Sequence, residues 1–242
     1  MRAAAPAASR LSMPGYRTKQ ERISIAGVDD LVMRSLLDRN QFADRDGAAE
    51  RLGISPAAWP LFGLLWPSGA LLAARLGARP VTAGEKILEI GCGLALASLV
   101  GHRRGADVTA SDRHPLAPIF LAENLRLNGL MPMKYLHGDW DAAIDDDTAG
   151  PAPGGFDLIV GSDLLYERDA SGALAGFVGR HAKPSCEVWI VDPDRSNRPA
   201  FNRRMAADGF SREEERLDAV ATSRDAAYKG RLLVYRRKLA PH

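Results

Sequence analysis

The sequence predicts an α/β protein: a doubly wound, seven-stranded, mostly parallel sheet with an antiparallel last strand and an N-terminal lobe. Three observations carry that expectation. From residue 84 onward short apolar strands alternate with helix-length segments, the pattern of successive βαβ units. A glycine turn, Gly91-Cys92-Gly93, joins the first of those strands to its helix. The chain then closes on two strand-like runs, 210–217 and 231–237, which read as an antiparallel pair.

Taken in order, Arg22–Val28 reads as a short strand and Asp29–Leu37 as a helix start, with Asp29 or Asp30 capping its free amides. Ala48–Leu52 gives a helical turn. Trp59–Gly69 is apolar and twice interrupted by proline, so it predicts a buried shoulder and not a long helix. Ala70–Leu76 is helical. Strands follow at Lys86–Ile90, Asp107–Ser111, Met133–Leu136, Phe156–Gly161 and Glu187–Val191. The helices between and after them fall at Leu94–Arg104, His114–Asn128, Ala170–His181 and Pro199–Asp208. The stretch 141–155 is acidic, carries Pro and Gly, and has no apolar period, so it is a loop. The resulting organisation is a flexible tail over 1–22, a helical and strand lobe over 23–80, and the main domain over 81–242.

Composition narrows the function. With 32 basic and 30 acidic side chains in 242 residues, the net charge of +2 leaves no strong electrostatic footprint for nucleic acid. Two cysteines, Cys92 and Cys186, cannot build a disulfide framework or a cysteine-rich zinc site. His102, His114, His137 and His181 sit on different elements as surface or helix-end residues, without metal-ligand spacing, so no metal is expected. No apolar run reaches the roughly 18 residues of a membrane span. The first twenty residues hold Arg2, Arg10, Arg17 and Lys19 and no acid. They read as the tail of a cytoplasmic protein, with an organelle-targeting segment as the open alternative.

The chemical signal starts at Glu89-Ile90-Gly91-Cys92-Gly93. A glycine turn between a parallel strand and its helix lets a ligand approach the backbone, and the helix amino end adds a favourable dipole. Asp112 ends the next strand, where a carboxylate can accept both hydroxyls of a ribose. A dinucleotide site would want a third glycine where Leu96 stands, and Glu89 would repel a pyrophosphate. The same carboxylate suits the ammonium of S-adenosylmethionine. Asp139-Trp140, after the third strand, offers an acid and an indole to an adenine. Ser162 lacks the nucleophile elbow of a hydrolase.

These motifs resemble the class I, seven-stranded S-adenosylmethionine-dependent methyltransferases over roughly residues 56–240. Leu88–Gly93 is similar to their first motif, Ser111-Asp112 to the ribose-binding strand end, and Gly138-Asp139-Trp140 to the adenine-side motif. Ala95 stands where many of them carry a third glycine. Asp163 and Tyr166 match the Asp-x-x-Tyr of the methyltransferase-like protein-lysine methyltransferases, and Trp66-Pro67-Ser68-Gly69 resembles their Trp-containing shoulder. Asn124 and Asn128-Gly129 also fit that group. Asp192-Pro193-Asp194-Arg195 is similar to the Asp-Pro-Gly-Arg of relatives of the electron-transfer-flavoprotein lysine methyltransferase, with Asp194 replacing glycine.

The resemblance implies S-adenosyl-L-methionine as cofactor, with S-adenosyl-L-homocysteine as product. It implies a cofactor site of Trp66, Glu89, Gly91, Gly93, Asp112, Asp139 and Trp140, and a catalytic pair, Asp163 and Tyr166. Asp163 would orient the acceptor amine and Tyr166 would wall or hydrogen-bond it. A protein lysine is the expected acceptor and a monomer the expected state. A small-molecule methyltransferase and a noncatalytic cofactor-binding or interaction protein are the alternatives; nucleic acid is disfavoured, because no aromatics interleave the basic C-terminal end.

Overall fold

A computed structural model describes residues 16–44, 46–140, 155–166, 171–218 and 227–238. The tail through residue 15, the acidic loop at 141–154 and the expected helix start at Ala170 lie outside the described residues.

The chain opens with a hairpin of β1 (Thr18–Ile25) and β2 (Val28–Leu36). Then come α1 (Ala48–Arg51), a 3-10 turn at Trp59–Gly63, and α2 (Pro67–Ala78). The main body runs β3 (Lys86–Ile90), α3 (Leu96–Arg103), β4 (Asp107–Asp112), α4 (Ala117–Leu127) and β5 (Lys134–His137). It continues with β6 (Phe156–Ser162), α5 (Ala173–His181), β7 (Ala182–Asp192), α6 (Arg198–Ala207), β8 (Ser211–Arg216) and β9 (Arg231–Arg237). The seven-stranded sheet has the order β5-β4-β3-β6-β7-β9-β8. Every neighbouring pair is parallel except those of β9, which runs antiparallel to both β7 and β8.

Alternate residues of the central strands feed two cores. Ile87, Val108, Leu158, Val160 and Val191 face α2, α3, α4 and the hairpin. Leu88, Ile90, Ile159, Val188 and Ile190 face α5 and α6. Both faces are therefore covered, which is why these strands read as unbroken apolar runs.

The N-terminal segment departs from expectation twice. β1 begins at Thr18, so residues 18–22 are strand and not tail. Residues 28–36, expected to start a helix, form β2. Gly27, at φ +77°, turns the chain between Ile25 and Val28, which pair directly. Asp30 does not cap a helix; its Oδ1 accepts a hydrogen bond from Ser24 Oγ across the hairpin at 2.9 Å. The outer edge of β2 meets α4. Val32 N donates to Asn128 Oδ1 and Asn128 Nδ2 to Val32 O, both at 2.8 Å. Beneath them the fully buried Glu123 receives Arg34 at 3.1 Å and Arg126 at 2.8 Å.

Candidate active site at the strand ends

The order of the sheet reverses direction between β3 and β6, so loops leaving these strands diverge and open a crevice at their carboxyl ends. A cavity of about 1130 Å³ occupies it. Glu89, Gly91, Gly93 and Asp112 line it from the first two strand ends, Trp66 and Trp140 from flanking segments, and Asp163 and Tyr166 after β6. Among the expected residues Asp139 is the exception. Gly138 and Trp140 line the cavity on either side of it.

Glu89 is 3% exposed. Its Oε2 accepts hydrogen bonds from the Ser98 amide at 2.8 Å and from the Ser98 hydroxyl. These hold the carboxylate at the amino end of α3 and leave Oε1 toward the cavity. Burial pushes the Glu89 carboxyl up to about 7, against the opposing pull of the two Ser98 hydrogen bonds. Asp112 anchors the turn opposite: its Oδ2 accepts from Gly93 N and its Oδ1 from His114 N, each at 2.8 Å. Burial raises its carboxyl too, and those two amides work the other way. Each oxygen keeps a lone pair for a second donor.

The glycines serve the protein's own packing. A Cβ on Gly93, at φ +50°, would lie 2.7 Å from the Phe62 carbonyl oxygen, and one on Gly91, at φ +56°, 2.5 Å from Leu164 Cδ2. Both glycines also line the cavity, so a Cβ there would meet the Phe62 carbonyl of the shoulder and Leu164 after β6 as well as intrude on that space. Ala95, buried at φ +58°, takes the left-handed position that starts α3. Sequence reasoning placed His114 at a surface or helix end; it is buried in the cavity wall, stacked on Phe62 at 3.7 Å and tilted against Trp59 at 4.2 Å. Burial pushes its imidazole down to about 3, so it is neutral at physiological pH.

Asp163 follows β6 in a left-handed conformation, φ +57°. Its Oδ1 accepts from Arg195 Nη2 at 2.8 Å, while its buried Oδ2 has no hydrogen-bond partner. Tyr166 borders the same cavity and is 43% exposed. Arg195 is the functional residue that sequence reasoning quoted without assigning a role. β6 and β7 are neighbours in the sheet, which brings the acid after one to the base after the other.

The family model described as lysine methyltransferase matches residues 63–204. The chain belongs to the lysine methyltransferase family. Among similar proteins, the methyltransferase is 25% identical over 203 residues to the electron transfer flavoprotein beta subunit lysine methyltransferase of Danio rerio, covering 76% of each chain. It is 30% identical over 149 residues to the Mus musculus protein of the same description, covering 60% of this chain and 55% of that one. A methyltransferase structure from Pyrococcus furiosus superposes with a TM-score of 0.55 at 18% identity, covering 82% of this chain and all of the other, which shows a shared fold.

The methyltransferase has the class I fold and uses S-adenosylmethionine. Its cavity suits that group. A buried carboxylate, a second strand-end carboxylate and an indole share one crevice, and Asp163 borders it with a buried Oδ2 that has no hydrogen-bond partner among the described residues. Asp194, the departure from the related glycine motif, keeps a glycine-like φ of +58°. There it gathers Arg198 at 2.5 Å, Arg216 at 2.7 Å and Arg231 at 2.8 Å.

Proposed function

We propose that this methyltransferase transfers a methyl group to the ε-amine of a lysine in a protein, acting as a cytoplasmic monomer. The convergence of Glu89, Asp112 and Asp163 on one cavity carries the reading. Glu89 Oε1 would hold the ammonium of the donor's methionine moiety, Asp112 its ribose hydroxyls, and Trp140 the adenine face, with backbone near Gly138 in place of the Asp139 carboxylate. When bound, the donor supplies a methyl group already activated on a sulfonium, so the protein's work is to position the acceptor and exclude water. Phe62, Trp66 and Leu164 line the cavity with apolar surface for that purpose.

A lysine ammonium has no lone pair and must lose a proton before it can attack. Asp163 Oδ2 accepts an N–H of the incoming amine and so aims its lone pair. A bare carboxylate would also stabilise the ammonium; Arg195, 2.8 Å from Oδ1, offsets that charge. Tyr166 walls the channel. Both cysteines are free and buried, which suits a reducing compartment. Among the described residues no helix is long and apolar enough to cross a membrane.

Incubation with labelled donor and a lysate from the source organism, followed by mass spectrometry, tests the reading. Methylated protein lysine is expected. Label found only in metabolites or nucleic acid overturns it. Sedimentation and cell fractionation test the monomer and the compartment.

A further inference from the structure

Three arginines from separate parts of the chain frame the mouth of the cavity: Arg39 after β2, Arg113 after β4 and Arg203 on α6. Arg39 and Arg203 are exposed and Arg113 is half-buried. None of the three has an ion pair or a side-chain hydrogen bond among the described residues. Elsewhere on the described surface many arginines are paired, although Arg104 is exposed without an ion pair. Arg75 pairs with Glu215, Arg126 with Glu123, Arg216 with Asp218 and Arg236 with Glu213. Among the described residues, no carboxylate makes an ion pair with these three guanidiniums.

The acids that do line the cavity are already committed at its floor. Glu89 is held by Ser98, Asp112 by two backbone amides, and Asp163 by Arg195. The mouth is therefore a positive rim around a narrow set of engaged carboxylates. The positive field is local, because the whole chain carries only +2.

From this we infer that the acceptor lysine stands in an acidic patch of a folded protein, whose Asp and Glu side chains pair with Arg39, Arg113 and Arg203 as it docks. The inference rests on the lysine reading above and names the surface that presents the lysine. Covering the rim with a neutral or basic surface would desolvate three unpaired guanidiniums, whereas an acidic surface meets each with a charge-assisted partner.

The test compares wild type with the double variant Arg39→Glu/Arg203→Glu, which leaves the cavity floor untouched. Each is incubated with labelled S-adenosylmethionine and a lysate from cells lacking this gene, at low salt (about 50 mM) and high salt (about 300 mM). The labelled sites are mapped by mass spectrometry. The inference expects label on lysines with several carboxylates within about 10 Å, a wild-type rate that falls with salt, and a KM for the purified acceptor raised about tenfold in the variant. Donor affinity by calorimetry stays unchanged. Label on lysines in neutral or basic surroundings, or a variant with wild-type KM, overturns the acidic-partner inference and leaves the lysine reading standing. Donor binding with no lysine label, or label confined to RNA, overturns the lysine reading and this inference with it.

Discussion

Asn124 on α4 and Arg34 on β2 exchange two hydrogen bonds, the Arg34 amide donating to Asn124 Oδ1 at 2.7 Å and Asn124 Nδ2 to the Arg34 carbonyl at 3.3 Å. Asn128, one helical turn on, repeats the exchange with Val32. Two side-chain amides at helix spacing thus stand in for a third strand beside the hairpin.

Asn124 is fully buried, so its removal strands two backbone groups without water. Asn124→Ala should destabilise the protein by about 2–4 kcal/mol. Urea denaturation measures the loss, and hydrogen exchange should show the Arg34 amide opening ahead of the sheet. Equal protection of that amide in both proteins would contradict the assignment.

With Glu89 in the proposed donor site, its raised carboxyl, near 7, should tie donor binding to pH. An ammonium partner needs the charged form, so affinity should fall roughly tenfold per pH unit below about 7. Glu89→Gln should bind weakly and without that slope, as calorimetry in buffers of different ionisation enthalpy would register. Stability responds in the opposite sense. A folded-state value above the unfolded 4.5 makes the buried acid's contribution complete below 4.5 and lost as pH rises through 7. The Gln variant should escape this loss, gaining on the order of 2 kcal/mol at pH 8 relative to wild type.

Arg195 holds one oxygen of Asp163, and the other is the one proposed to receive the acceptor amine. Arg195→Gln should keep donor affinity while moving the pH midpoint of methyl transfer upward by about one unit, since the freed carboxylate stabilises the acceptor ammonium. Arg195→Lys should recover part of the shift. A uniform fall in rate across the pH range would reduce Arg195 to a packing role.

Asp194 takes a conformation natural to glycine and offsets its strain by binding Arg198, Arg216 and Arg231. Burial alone would raise its carboxyl, but hydrogen bonds from Arg231, Arg198 and Arg216 hold it down at about 2. Its stabilising effect is present above the unfolded value of 3.8 and is lost as pH falls through 2. Asp194→Gly relieves the backbone yet removes the carboxylate that three guanidiniums share, leaving them Asp192, Asp218 and Glu214. Thermal unfolding should show a loss of about 1 kcal/mol at low salt that fades as salt is added. A loss independent of salt would contradict the electrostatic account.

Much of this was legible along the chain, and the exceptions have causes. β3 at Lys86–Ile90 and β9 at Arg231–Arg237 fall where the sequence predicts them, because buried strands advertise themselves as apolar runs. The hairpin was misread because Asp29-Asp30 before an apolar run imitates a helix cap, while the informative residue was Gly27. Glu89, Asp112, Asp163 and Tyr166 reach the crevice because strand-end positions in a parallel sheet point to one rim. The Arg195 pairing belongs to contacts between distant segments, which no local pattern encodes.

The paired asparagines carry one more consequence. A strand edge with vacant amides and carbonyls is a template on which another chain can zip itself, and that is a common route to aggregation. By answering the backbone of Val32 and Arg34 with side chains, α4 leaves an intruding strand nothing to grip there. The two amides that fasten the hairpin also keep the protein from polymerising along that border.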